Sequence, residues 1–107
     1  MKKIIGISLL ALSGMASAVA VAQERTHCQT MAQAANAVMM ERQKGTPKHQ
    51  VVQTLKNENA YTGYAKAVVE DAYEQPFFSS AEYKMKRVIQ FTNKAYKLCL
   101  TTFNQSR

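Results

Sequence analysis

A chain of 107 residues with fourteen Lys and Arg against seven Asp and Glu carries a net charge of +7, with two cysteines and two histidines. Neither histidine has a second His or a carboxylate at ligand spacing on the same helix face, which argues against a four-ligand structural zinc site. The cysteines lack Cys-x-x-Cys spacing, which argues against a dithiol redox motif.

The chain opens MKKIIGISLLALSGMASAVAVAQER: two lysines, an apolar run from Ile4, then the triplets Ala16-Ser17-Ala18 and Ala20-Val21-Ala22. This is the grammar of a Sec-type secretory signal peptide, residues 1–22, and it predicts a periplasmic protein. Cleavage is expected after Ala22, where Gln23 and Glu24 begin the polar sequence, with Ala18 as the alternative site. An uncleaved anchor is the competing reading, because Ile4 to Ala22 approaches the roughly 20 residues that span a bilayer. Its second half is Ala, Ser and Gly, which weakens it as an anchor, and no cysteine follows the run as a lipoprotein requires. Cleavage removes Lys2 and Lys3, taking the net charge from +7 to +5, and leaves one domain, residues 23–107.

Thr26-His27-Cys28-Gln29 has the form of a capping box, so a first helix is predicted from about Thr26. Cys28, Met31, Ala35, Val38 and Arg42 recur at helical steps, widened by Ala32 and Met39, and turn one face to a core. Arg42 and Lys44 suit the last turn, and Gly45 supplies a left-handed stop. A short second helix is expected from Thr46 as N-cap and Pro47 as first residue, with Val51, Val52 and Leu55 inward and Asn57-Glu58-Asn59 as its end. The third helix is predicted from Ala60 or Tyr61 to Glu74, with Gly63 as an internal weakness and Pro76 as terminator. Ser79 and Glu82 form a second capping box ahead of a long fourth helix to about Thr102, with Met85, Val88/Ile89, Thr92, Ala95/Tyr96, Cys99 and Phe103 along one side.

Strand-like alternation of useful length is missing and the connections are short, so the expected fold is an all-α, up-down-up-down bundle of four helices, one of them short. An exported chain with an even cysteine count is expected to pair them, and Cys28 and Cys99 then join the first and last helices at the end of the bundle where they meet. Such a bridge closes a loop of about 70 residues, for which the chain-entropy model gives about 4 kcal/mol as an upper guide.

The candidate partner-binding residues are Phe77 and Phe78, which cannot easily both point inward from one turn, and Lys84, Arg87 and Lys94 on the basic fourth helix. Against the basic helix as a site stands its spacing: six charges over more than 20 residues read as a solvated face. Nucleic acid is excluded as a partner by the exported address and the lack of a recognition motif, while contact with an anionic membrane surface has only this diffuse charge behind it. Met31, Met39, Met40 and Met85 fall at helical spacing, which reads as core filling and not as a thioether metal site. Glu70, Asp71 and Glu74 form an acidic edge, in which Glu70 and Glu74 repel unless solvated or paired with Lys66. No catalytic constellation, metal site or cofactor is predicted.

The signal peptide, Cys28 opening the first helix, the Arg42-Gln43-Lys44-Gly45 stop, Pro76 before the last helix and Cys99 near its end together resemble a loose class of small exported, two-cysteine, all-helical proteins of Gram-negative bacteria. The resemblance covers most of residues 23–107 and implies no functional residue. The residues themselves favour a non-enzymatic periplasmic protein, monomer or homodimer, that grips another periplasmic or secreted protein through the Phe77/Phe78 corner or the basic face of the fourth helix. Acid-stress chaperones and helical immunity proteins share the plan and provide alternatives of the same kind. A metal or redox role for His27 and Cys28 is the alternative of another class.

Overall fold

The computed structural model describes the backbone from Lys2 to Gln105 and the side chains of residues 22–103. Among these residues there are four helices and no strand: α1 (Lys2–Lys44), α2 (Lys48–Asn57), α3 (Gly63–Glu74) and α4 (Ala81–Gln105). The all-α plan with a short second helix is the one expected. The signal-peptide reading falls on residues 1–22, and the side chains of 1–21 lie outside the described residues. Among the described residues no helix is long and apolar enough to cross a membrane.

The helix starts differ from expectation in four places. α1 is helical from Lys2, and the Thr26 hydroxyl donates to the Ala22 carbonyl at 2.9 Å, so Thr26 to Gln29 is helix interior and not a capping box. Pro47, not Thr46, is the N-cap of α2, because the Thr46 hydroxyl is engaged with Glu41 Oε2 at 2.7 Å. Thr62 caps α3 by accepting from the Ala65 N–H at 3.1 Å, which makes Gly63 the first helical residue instead of an internal weakness. In α4 the cap is Ser80, whose Oγ accepts from the Tyr83 N–H at 3.2 Å, in place of Ser79.

Two helix ends are closed by Schellman motifs. Gly45, at φ 90°, donates to the Arg42 carbonyl while Thr46 donates to Glu41. Asn59, at φ 55°, donates to Lys56 while Ala60 donates to Leu55. Gln75 takes extended backbone (φ −73°, ψ 149°), as the residue before Pro76 must.

Side-chain contacts fix the directions. Asn36 Nδ2 donates to Thr92 Oγ1 at 3.0 Å, and Cys28 is bonded to Cys99 with Cα atoms 5.5 Å apart, so α4 runs antiparallel to α1. Tyr64 Oη donates to the Met31 carbonyl at 2.9 Å and Tyr73 Oη to the Thr46 carbonyl at 2.5 Å, so α3 runs with α1. Burial pushes the Tyr64 phenol above its ordinary pKa, and that of Tyr73 too, where nearby Arg42 works against the rise. Lys48 meets Glu70 at 2.7 Å, so the partner of Glu70 is on α2 and not the expected Lys66.

The core is made of Ala35, Val38, Met39, Val51, Val68, Val69, Ala72, Val88 and Phe91. α3 and α4 both lean on α1 far more than on each other. α4 is also turned relative to its predicted face. Val88 and Phe91 are buried, whereas Met85 and Ile89 are 55% and 51% exposed.

Candidate functional site

Two features of the fold bear on function, and both descend from the seating of α4. The first is the corner between α3 and α4. Arg42 donates to the Gln75 carbonyl from Nε and Nη2, at 3.2 and 3.0 Å. Gln43 is buried, and its amide works in both directions: Nε2 donates to the Pro76 carbonyl at 2.8 Å, and Oε1 accepts from the Phe78 N–H at 3.0 Å. Lys84 reaches back to the Gln43 carbonyl, with its ammonium 3.7 Å from the centre of the Phe77 ring. Arg87 donates to Gln75 Oε1 at 3.3 Å and lies over Phe78, whose ring stacks on Tyr83.

These contacts show where the predicted site residues stand. Phe77, Phe78, Lys84 and Arg87 come together at this one corner, and Lys94 lies away from it. Phe77 is 50% exposed, whereas Phe78, Lys84 and Arg87 are half-buried. The two cations are held by backbone oxygen, amide oxygen and ring faces, so they satisfy the corner's own acceptors.

The second feature is a groove. Because α3 and α4 flank α1 without closing on each other, an apolar channel of about 360 Å³ opens between them. Met31 and Ala35 of α1 form its floor, Tyr64 and Val68 one wall, Phe91 and Leu98 the other. At one end His27 packs edge-on against Phe103, with centroids 5.5 Å apart. Cys99 lines the groove as well, so the disulfide fixes the α1–α4 side of this end. Leu98, on the rim of this concave apolar surface, is 57% exposed. Lys94 and Asp71 are the charged residues on its walls.

Comparison with family models, with curated proteins and with solved structures yields no match. The chemistry of the groove therefore rests on its own residues.

Cys28 is fully buried and joined to Cys99, and the described residues contain no free cysteine. A sulfur in a disulfide is not the thiolate that binds metal or attacks a carbonyl. His27 adjoins Cys28 in sequence, yet its ring serves as an end wall of the groove. Sequence reasoning missed the groove, although its residues carried part of the signal: Leu98 is apolar, helical and off the predicted stripe. It also missed Gln43 as the buried keystone of the corner, since a glutamine in a last helical turn reads as surface.

Proposed function

We propose that this chain is a small exported protein that binds without catalysing, and that the groove between α3 and α4 is its receptor surface. The observation that supports this best is an open apolar channel held at one end by a disulfide. Its lining is largely hydrocarbon, which desolvates a guest and supplies little to react with it. The disulfide is compatible with an oxidising compartment, in keeping with the signal peptide read at residues 1–22 and the periplasm as destination.

A solvatochromic naphthalene dye tests the groove. The dye is expected to bind the wild type at one saturable site and to lose that site in Leu98→Glu, while Met85→Glu on the opposite flank of α4 keeps it. Equal behaviour of the two variants overturns the reading. Export is tested by the mass of the protein recovered from periplasm, expected to lack residues 1–22 and two thiol hydrogens. An intact precursor with two thiols overturns it.

A protein partner at the α3–α4 corner is the second reading, supported by the half-exposed Phe77. Phe77→Ser, and not a change at the stacked Phe78, is the variant expected to weaken capture of such a partner with little loss of stability. Wild-type capture that Phe77→Ser leaves intact counts against this reading.

A further inference from the structure

We infer that the groove takes the hydrocarbon tail of a single-chain fatty carboxylate whose head is paired by Lys94 and Lys97. The inference rests on the groove being a binding surface and adds what it binds.

Continuity between two surfaces points to this ligand. The apolar groove shares Lys94 and Leu98 with a shallow concavity on the outer side of α4, completed by the polar side chains Gln90, Asn93, Lys97 and Thr101 and floored largely by their hydrocarbon stems. Leu98 is the divide: hydrocarbon lies on one side of it, and amide, hydroxyl and ammonium groups on the other. An apolar channel with Lys94 on its rim and Lys97 one turn on, in the adjoining concavity, has the polarity of an anionic amphiphile.

The charges agree. α4 has no carboxylate after Glu82, and the ion pairs among the described residues, Lys44–Glu41 and Lys48–Glu70, do not involve Lys94 or Lys97. Asp71 is the acid on the groove, on the α3 wall, where it accepts from Gln75 Nε2 at 3.4 Å. It repels a carboxylate from that wall and so directs the head toward α4. Two exposed lysines also bind a flexible anion without desolvating a buried charge.

The volume selects a single chain. About 360 Å³ lies near the low end of the range for small-molecule sites. A partner α-helix, about 10 Å across with its side chains, would rest on the rims instead of entering. From Lys94 to Phe103 α4 advances by roughly 13 Å, which gives the tail a straight path beside Leu98 from the head to the His27–Phe103 end.

The test titrates the oxidised protein, as it accumulates in the cell that makes it, with dodecanoate and with dodecyltrimethylammonium, both below their micellar concentrations. Calorimetry is expected to give one dodecanoate site with a Kd of roughly 10–100 μM, and about tenfold weaker binding of the cationic amphiphile. Lys94→Glu is expected to erase that preference, with Lys97→Glu as a second variant. Both positions are exposed, so far-ultraviolet circular dichroism should be unchanged. Equal binding of the two amphiphiles, a preference indifferent to both lysines, or no saturable dodecanoate binding overturns the inference. The naphthalene dye separates the two failures: dye binding lost in Leu98→Glu, without dodecanoate binding, removes the fatty carboxylate and leaves the groove as a receptor.

Discussion

Gly45 shows how much one residue decides. Its φ of 90° is strained for any residue with a Cβ, and a Cβ there would sit 3.6 Å from the Phe77 ring, an ordinary contact. The penalty is therefore one of backbone conformation, and Gly45→Ala is expected to lower the unfolding free energy by about 1–2 kcal/mol, measured by urea denaturation. Gln43 acts through hydrogen bonds instead. Gln43→Leu leaves the Pro76 carbonyl and the Phe78 N–H without their partner, and the expected loss is about 2–3 kcal/mol in the same measurement. Glycine after a helical run announces itself in sequence. Gln43 does not, because its burial depends on a segment more than 30 residues away folding over it. A third residue-scale effect is electrostatic: the Thr46 hydroxyl holds the Glu41 carboxyl below its ordinary pKa, helped by Lys44 and opposed by burial. With the folded-state pKa the lower one, this contribution is present above the unfolded-state value near 4.5 and is lost as pH falls through the folded value. Thr46→Val should raise the Glu41 titration midpoint, read by carboxyl-carbon NMR; an unchanged midpoint refutes the assignment.

At the scale of elements, the sequence located all four helices and misplaced several of their starts. For α2, α3 and α4 the cause is local, a hydroxyl bonded within five residues of itself, whereas α1 runs on through Thr26. Thr46 turned to Glu41, leaving Pro47 as cap, while Thr62 and Ser80 took the capping roles expected elsewhere. Thr62→Ala is accordingly expected to cost about 1 kcal/mol in denaturant unfolding, with Thr46→Ala exerting no capping effect on α2. α4 presents a harder choice. Met85, Ile89, Tyr96 and Leu100 form one apolar flank and Val88, Phe91 and Ala95 another, and periodicity alone weighs them similarly. The corner contacts of Lys84 and Arg87 orient the second flank toward α1. That choice buries Phe91 and puts Leu98 on the rim of the groove.

Across the whole molecule, the disulfide joins residues 71 apart and ties the helices that form the largest interface. Reduction, or paired Cys28→Ser and Cys99→Ser substitution, is expected to lower stability by up to about 4 kcal/mol, seen as a lower thermal midpoint with far-ultraviolet helicity kept in the cold. The same change should loosen the His27–Phe103 end of the groove before the Phe77 corner, which hydrogen exchange at α4 amides can separate. Helix number, the stop at Gly45 and the pairing of Cys28 with Cys99 follow from the sequence, because they depend on short-range periodicity, on backbone sterics at single residues and on there being one way to pair two cysteines. The rotation of α4, the burial of Gln43 and the opening between α3 and α4 were decided by tertiary structure. Each depends on which of several apolar and polar faces met first across long separations in the chain, and helical spacing is silent about that competition.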